Sequence, residues 1–213
     1  MSSTALNSEI NEWDDPEIDL DTHLLRGIYA IGFEKPSPVQ KKVIKPMTKI
    51  RENGKRRDII AQAQSGTGKT GAFSISALQL IDESIQSTQV LIVSPTHELS
   101  RQTTKVIEGL SNYMKITLAE CIGGTNVVEC KNALHRKPHL VIGTPGRILD
   151  MIQKKNLDTT TLKLMIFDEA DEILSYGFKE TIYNIVKSIP KATQITLFSA
   201  TMPPDVIELT DKF

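Results

Sequence analysis

A glycine-rich segment that ends in a lysine and a threonine is the part of the sequence most suited to chemistry. Glycines let backbone N–H groups turn inward around a phosphate, and a following helix adds the partial positive charge of its N-terminus. The lysine can then reach the outer phosphates of a nucleotide, and the threonine hydroxyl can ligate Mg²⁺. We predict that this loop binds a nucleotide through Ala63, Gln64, Ser65, Gly66, Thr67, Gly68, Lys69, Thr70 and Gly71.

The surroundings of this segment favour phosphate binding over a plain turn. It follows the apolar run Asp58–Ala61 and precedes the helix-compatible stretch Ala72–Leu80, which gives the order strand, glycine loop, helix. The general pattern has glycine at the position of Ala63, so the segment departs from it there. The alternative is a glycine-rich strand-to-helix turn that binds no ligand.

An acidic cluster follows a second apolar run. Leu162–Phe167 is succeeded by Asp168, Glu169 and Asp171, which places carboxylates at the carboxyl end of a predicted buried strand. Ligands of open parallel sheets bind beyond these ends, so the cluster should face the glycine loop. We predict that Asp168 holds Mg²⁺ together with Thr70, partly through water, and that Glu169 orients the water attacking the γ-phosphate. Alternatively, the carboxylates only complement a helix dipole.

A third apolar run, Gln194–Phe198, ends in hydroxyl residues. Ser199 and Thr201 can hydrogen-bond the neighbouring carboxylates, or they can simply cap a turn. The candidate catalytic residues are Lys69, Asp168, Glu169, Ser199 and Thr201.

Short apolar runs alternate with stretches of helical periodicity along the chain. This pattern predicts an α/β fold with one mostly parallel central sheet and helices on both faces. We expect residues 22–213 to form this domain and residues 1–21, which are polar and acidic, to be a mostly flexible arm. The predicted strands are Asp58–Ala61, Gln89–Val93, Ile116–Ile122, His139–Ile142, Leu162–Phe167 and Gln194–Phe198.

Composition excludes several other classes of protein. The formal net charge is −1, so any nucleic-acid binding must use a local patch. No apolar run approaches the ~20 residues that cross a bilayer, and we expect no membrane partner. The two cysteines, Cys121 and Cys130, lack zinc-site spacing. We expect a soluble intracellular protein with reduced thiols.

Six motifs occur in order along the chain: GFEKPSPVQ (32–40), AQSGTGKT (63–70), CIGGTN (121–126), GTPGR (143–147), DEADEILSYGFKE (168–180) and SATMP (199–203). With these motifs the sequence resembles the DEAD-box RNA helicases, most of all members that act in translation initiation. This family usually has alanine at the position of Ala63. The resemblance implies one RecA-like domain of an enzyme that couples hydrolysis of ATP to ADP and phosphate, with Mg²⁺, to RNA unwinding in the cytoplasm.

The resemblance also assigns the residues that read the base. Phe33 packs on the adenine, Lys35 lies against the nucleotide through its backbone, and Gln40 hydrogen-bonds the adenine edge, because its amide offers both a donor and an acceptor. Trp13 is the candidate for an upstream aromatic that stacks near the base. It could equally anchor the core.

For RNA, the resemblance implies backbone contacts to a single strand or short duplex, which should be independent of sequence. His97 stands where the family has arginine, and an imidazole is not permanently charged, so we expect a weaker phosphate contact near neutral pH. The implied residues are Pro95, Thr96, His97, Gly123, Gly124, Thr144, Pro145, Gly146 and Arg147.

Family members continue into a second RecA-like domain that supplies an arginine finger to the ATP site. We therefore expect the partners to be that domain, RNA and scaffold proteins of translation initiation. We expect the chain alone to bind adenine nucleotide weakly, without appreciable hydrolysis or unwinding. The alternatives are an ATP-regulated RNA clamp of the exon-junction or rRNA-processing type, which is nuclear, and a small-molecule P-loop kinase.

Overall fold

The computed structural model describes residues 11–51, 54 and 56–211. Six strands form one sheet in which every pairing is parallel, with the order β1-β6-β5-β2-β4-β3. Continuous apolar runs such as Val90–Val93 suit strands that are covered on both faces. The strands are β1 (Ile59–Gln62), β2 (Val90–Val93), β3 (Leu118–Cys121), β4 (Leu140–Gly143), β5 (Leu164–Phe167) and β6 (Gln194–Ser199).

Helices follow or precede each strand. They are α1 (Thr22–Ala30), α2 (Pro38–Thr48), α3 (Lys69–Leu80), α4 (His97–Leu110), α5 (Val127–His135), α6 (Pro145–Gln153), α7 (Ala170–Ser175), α8 (Lys179–Lys187) and α9 (Pro204–Thr210).

The sheet separates two apolar clusters because successive strand residues point to opposite faces. Val90 and Ile92 pack with residues from helices α1 to α4. Leu91 and Val93 pack with residues from α5 to α9. The prediction of a parallel sheet with helices on both faces is therefore confirmed.

The N-terminal stretch differs from a free arm where the structure describes it. Residues 1–10 of the expected arm lie outside the described residues. Trp13 and Ile18 are both buried in the core, and the Asp21 side chain caps α1 by accepting hydrogen bonds from two backbone N–H groups. Residues 13–21 are therefore packed on the domain, because one tryptophan buries enough apolar surface to anchor an otherwise polar segment.

Among the described residues, the helices are all too short or too polar to cross a membrane.

Candidate functional site

Three sequence motifs meet at one edge of the sheet. Strand β6 lies between β1 and β5, so the loop after β1, the acidic residues after β5 and the hydroxyl residues after β6 are neighbours. Gln62 pairs with Ser199 in the register, and the Ala63 N–H donates to the Ser199 carbonyl oxygen at 3.0 Å. The carboxyl ends of these three strands thus form one crevice.

An ion pair crosses this crevice. Lys69 Nζ lies 2.8 Å from Glu169 Oε2, and the lysine side chain is only 5% exposed. Glu169 has a left-handed backbone with φ of 48°, a conformation that costs a non-glycine residue about 1–2 kcal/mol. The structure brings together the lysine and the acidic cluster, as nucleotide binding requires.

The phosphate loop, residues 63–68, is held from one side by the start of α2. The Ser37 hydroxyl donates to the Thr67 carbonyl oxygen at 2.9 Å, and Gln40 Nε2 donates to the Gly68 carbonyl oxygen at 3.3 Å. Gly68 has φ of 97°, and a Cβ there would lie 2.6 Å from Ser37 Oγ. Only glycine fits this position. Gly68 also leaves α3 without a side-chain cap, so N–H groups at the helix start can face a phosphate.

Ser37 was missed as a site residue, although the sequence carried a signal for it. Ser37, Pro38 and Gln40 fit a capping box with proline at the first helical position, and the structure contains both capping hydrogen bonds. The box explains why Gln40 is held in place next to the phosphate loop.

The predicted base-reading residues lie beside α3. Gln40 is buried, and its Oε1 accepts a 2.6 Å hydrogen bond from the Ser37 N–H. The amide retains one N–H and one acceptor lone pair beyond its two contacts in the protein. The Phe33 ring approaches Gly71, where a Cβ would lie 2.9 Å from Phe33 Cε2. The Lys35 side chain points to the surface and pairs with Glu12 at 3.0 Å.

Trp13 packs against Phe33. The two rings stack with centroids 6.4 Å apart, and Trp13 Nε1 donates to the Phe33 carbonyl oxygen at 2.9 Å. Trp13 is fully buried. Of the two interpretations of this residue, the structure shows a core anchor, and that anchor also fixes the backbone of Phe33.

Asp168 is the most deeply buried carboxylate of the crevice, at 4% exposed. Burial, followed by the neighbouring charge of Glu169, raises its pKa to about 7. Magnesium prefers oxygen ligands and often takes one or two carboxylates together with substrate phosphates. Asp168 offers such a carboxylate, and Thr70, the second residue of α3, has a hydroxyl oxygen. Among the described residues, no group of three or more His, Cys, Asp or Glu side chains could hold a metal ion.

The hydroxyl motif after β6 binds Asp171. The backbone N–H and hydroxyl of Thr201 donate to Asp171 Oδ2 at 2.9 and 2.6 Å. Ser199 Oγ accepts from the Asp171 N–H at 3.2 Å and donates to the Thr201 carbonyl oxygen at 2.7 Å. Ser199 and Thr201 therefore hold the start of α7, which follows Asp168 and Glu169.

A second cleft lies further along the same edge, beyond β2, β4 and β3. It encloses about 430 Å³, and it brings together most of the residues that the resemblance assigned to RNA. The Gly123 N–H donates to Thr144 Oγ1 at 2.9 Å, and His97 lies against Gly124. Thr96 contributes differently, since its side chain caps α4 through the Leu99 N–H.

The start of α6 offers hydrogen-bond donors to this cleft. Pro145 is the first helical residue, Thr144 makes no side-chain cap, and Gly146 has no heavy atom within 4 Å of where its Cβ would be. Arg147 Nη2 donates to the Thr125 carbonyl oxygen at 2.9 Å. A guanidinium has five N–H groups, so donors remain for a phosphate.

A parallel sheet with a phosphate loop, a buried aspartate and a lysine at one edge defines a P-loop nucleotide-binding domain. The chain belongs to the DEAD/DEAH box helicase family, because that family's model matches residues 37–209.

One curated protein and two solved structures illustrate what this chain is similar to. The chain is 54% identical over 196 residues to the "ATP-dependent RNA helicase eIF4A" of Aspergillus niger, covering 92% of this chain and 48% of that protein. Among solved structures, Dbp5 of S. cerevisiae bound to RNA and ADP BeF3 is 32% identical with a TM-score of 0.81, covering 92% of this chain and 49% of that one. A DEAD box protein from Methanococcus jannaschii is 34% identical with a TM-score of 0.86, covering 95% and 53%. The chain spans about half the length of the curated relatives it matches.

Proposed function

We propose that this chain is the ATP-binding half of an ATP-dependent RNA helicase that acts in translation initiation. The observation that carries the proposal is the single crevice in which Lys69 and Glu169 meet at 2.8 Å beside buried Asp168. The name of the Aspergillus niger relative supports the helicase activity and the link to translation. A role in translation initiation implies a cytoplasmic location.

In the ATP site, the loop N–H groups and Lys69 would bind the phosphates. Asp168 and Thr70 would hold Mg²⁺, which supplies charge neutralisation to the phosphates when bound. Glu169 would orient the attacking water, and Ser199 and Thr201 would keep the acidic segment in place through Asp171. Phe33 and Gln40 would select adenine.

In the second cleft, backbone N–H groups, hydroxyls and Arg147 would hold the sugar-phosphate backbone of RNA. None of these groups needs a base edge, so binding should not depend on sequence. The solved structure of S. cerevisiae Dbp5 is bound to both RNA and ADP BeF3. A similar protein that binds both ligands supports the proposal that this chain has a site for each.

A second RecA-like domain is the partner this proposal needs. P-loop enzymes stabilise transition-state charge with an arginine finger, and the resemblance places that arginine in the second domain. Relatives about twice as long as this chain support such a partner. Scaffold proteins of translation initiation are further proposed partners.

The test compares ATP hydrolysis with and without single-stranded RNA. We expect the 213-residue chain to bind ATP weakly with negligible turnover, and the same chain joined to a second RecA-like domain to hydrolyse ATP at a rate that RNA stimulates. Glu169→Gln in the two-domain protein should retain nucleotide binding and lose about 10²-fold or more in turnover.

Robust RNA-stimulated hydrolysis by the 213-residue chain would contradict the assigned role of the second domain. If the two-domain protein hydrolyses no ATP, the proposed helicase function is wrong. RNA that stays bound after one ATP turnover would indicate an RNA clamp instead of an unwinding enzyme.

A further inference from the structure

Two cysteine thiols face each other between β3 and α5. Cys121 ends β3 and Cys130 lies on α5, and their Sγ atoms are 3.1 Å apart. Both thiols are free and both side chains are buried. A disulfide has an S–S distance of about 2.05 Å, so its formation requires the sulfurs to approach by only about 1 Å.

The two sulfurs are not equivalent in access. Cys130 lines a groove of about 550 Å³ between α4, β3 and α5 that opens to solvent, together with Arg101, Glu120 and Glu129. Cys121 is fully buried and does not line this groove. A small polar reagent can therefore reach Cys130 first.

The two thiols also differ in acidity. Its hydrogen bond with Cys121 and the nearby Arg147 guanidinium outweigh burial and lower the pKa of Cys130 to about 7. The same hydrogen bond, followed by burial, raises the pKa of Cys121. Since the thiolate is the reactive form, this difference agrees with the access through the groove, and both favour Cys130 as the nucleophile and Cys121 as the thiol that attacks it afterwards.

We propose that Cys121 and Cys130 form a peroxide-responsive dithiol site, in which Cys130 is oxidised first and Cys121 resolves it to an intramolecular disulfide. The proposal rests on the facing sulfurs and on the groove that opens at Cys130 alone. It does not rest on the proposed function, although Arg147 of the second cleft lies near Cys130.

The chemistry balances with a hydroperoxide as the oxidant. The Cys130 thiolate attacks one oxygen of hydrogen peroxide, the O–O bond breaks, and the released hydroxide takes up a proton to become water. Cys130 is then a sulfenic acid. The Cys121 sulfur attacks the Cys130 sulfur, the S–O bond breaks, and the Cys121 proton leaves with the hydroxyl group as a second water. The two thiols are oxidised, and one peroxide is reduced to two waters.

The test treats the 213-residue chain with hydrogen peroxide and then alkylates the remaining thiols after denaturation. We expect the monomer to lose two hydrogens in mass, both cysteines to resist alkylation, and a dithiol reductant to restore both. Peptide mapping should join residue 121 to residue 130. Two thiols that stay alkylatable under peroxide, or a disulfide found only between chains, would overturn the proposal without the need for any variant.

Single variants test the order of the two steps. In Cys121→Ser, we expect the Cys130 sulfenic acid to accumulate and to be trapped by dimedone. In Cys130→Ser, Cys121 should remain a thiol under the same treatment. Circular dichroism establishes that each variant is folded, and alanine replaces serine where it is not. Oxidation of Cys121 in folded Cys130→Ser at the wild-type rate would refute the assignment of Cys130 as the reactive thiol.

Discussion

The three carboxylates of the acidic motif have different surroundings, although they lie within four residues. Asp168 is buried and shifted toward its neutral form, Glu169 pairs with Lys69, and Asp171 accepts two hydrogen bonds from Thr201. The spacing of these residues in the sequence could not predict their different surroundings, because the surroundings depend on the groups that other strands and loops bring near each carboxylate.

The buried charge of Asp168 should cost stability at neutral and higher pH. An unfolded aspartate has a pKa of about 3.9, whereas the pKa of folded Asp168 is about 7. Between these values the folded chain binds more protons than the unfolded chain, so the free energy of unfolding falls as pH rises. We expect Asp168→Asn to raise the Tm by about 3 °C or more near pH 8, and the gain to shrink toward pH 4. Thermal unfolding followed by circular dichroism measures both.

Asp171→Asn is the matched control. Burial raises the pKa of Asp171, but hydrogen bonds, above all those that its carboxylate accepts from Thr201, outweigh burial and lower the pKa overall. Its charged form therefore stabilises the fold above the unfolded pKa and loses this effect as pH falls. The control variant should be less stable than the wild type near pH 8. Equal Tm changes in the two variants would show that burial does not distinguish these carboxylates.

His97 is the residue at which the second cleft departs from the family. It lies against Gly124 and lines the cleft with Arg147. We expect His97→Arg to bind single-stranded RNA about fivefold more tightly near neutral pH in the two-domain protein, equivalent to ~1 kcal/mol. The slope of log affinity against log salt should steepen by about 0.7 for one added phosphate contact. Fluorescence anisotropy at several salt concentrations measures both quantities.

His135→Arg adds the same charge outside the cleft, at the exposed C-terminal end of α5. This control should change RNA affinity little. If the two variants bind RNA equally well, the effect belongs to net charge and not to the position of residue 97.

At the scale of elements, α1 and α4 approach unusually closely. A Cβ added at Gly27 would lie 1.8 Å from the Leu110 carbonyl oxygen, which is backbone and has no rotamer to change. Replacing glycine by alanine inside a helix normally stabilises the helix by about 1 kcal/mol. The close approach of the two helices should reverse the sign of this effect on stability. We therefore expect Gly27→Ala to lower the free energy of unfolding by about 1–3 kcal/mol. Urea denaturation gives the value.

Gly109→Ala is a control on the same helix pair. A Cβ there meets only the Ile31 Cγ2 methyl, at 2.9 Å, which belongs to a side chain and not to the backbone. We expect Gly109→Ala to lower the free energy of unfolding less than Gly27→Ala does. A Gly27→Ala protein as stable as the wild type would mean that the helices separate without cost.

The elements were largely predictable from sequence because buried parallel strands have continuous apolar runs. Each of the six predicted strands is present, with small shifts such as β5 beginning at Leu164 instead of Leu162. The burial of Trp13 could not be predicted, since one aromatic in a polar segment gives no periodicity to interpret. The capping box at Ser37 is visible in the sequence as a serine followed three residues later by glutamine.

At the scale of the whole molecule, topology explains why so much of the site could be predicted. In a parallel sheet all carboxyl ends lie at one edge, so motifs that follow strands must converge there. Sequence could not show that β6 separates β1 from β5, nor that Cys121 and Cys130 face each other, because both depend on strand order and side-chain placement. With a net charge of −1, any RNA binding by the molecule must use a local patch.

The ion pair between Lys69 and Glu169 couples the two tasks proposed for these residues. While lysine and carboxylate neutralise each other at 2.8 Å, neither is available for its proposed task. Under the proposed function, an incoming triphosphate would have to displace the carboxylate from the lysine, and the same exchange would free Glu169 to hold a water molecule. Glu169 would then become available for hydrolysis only when the substrate binds, and breaking the ion pair would take up part of the binding energy.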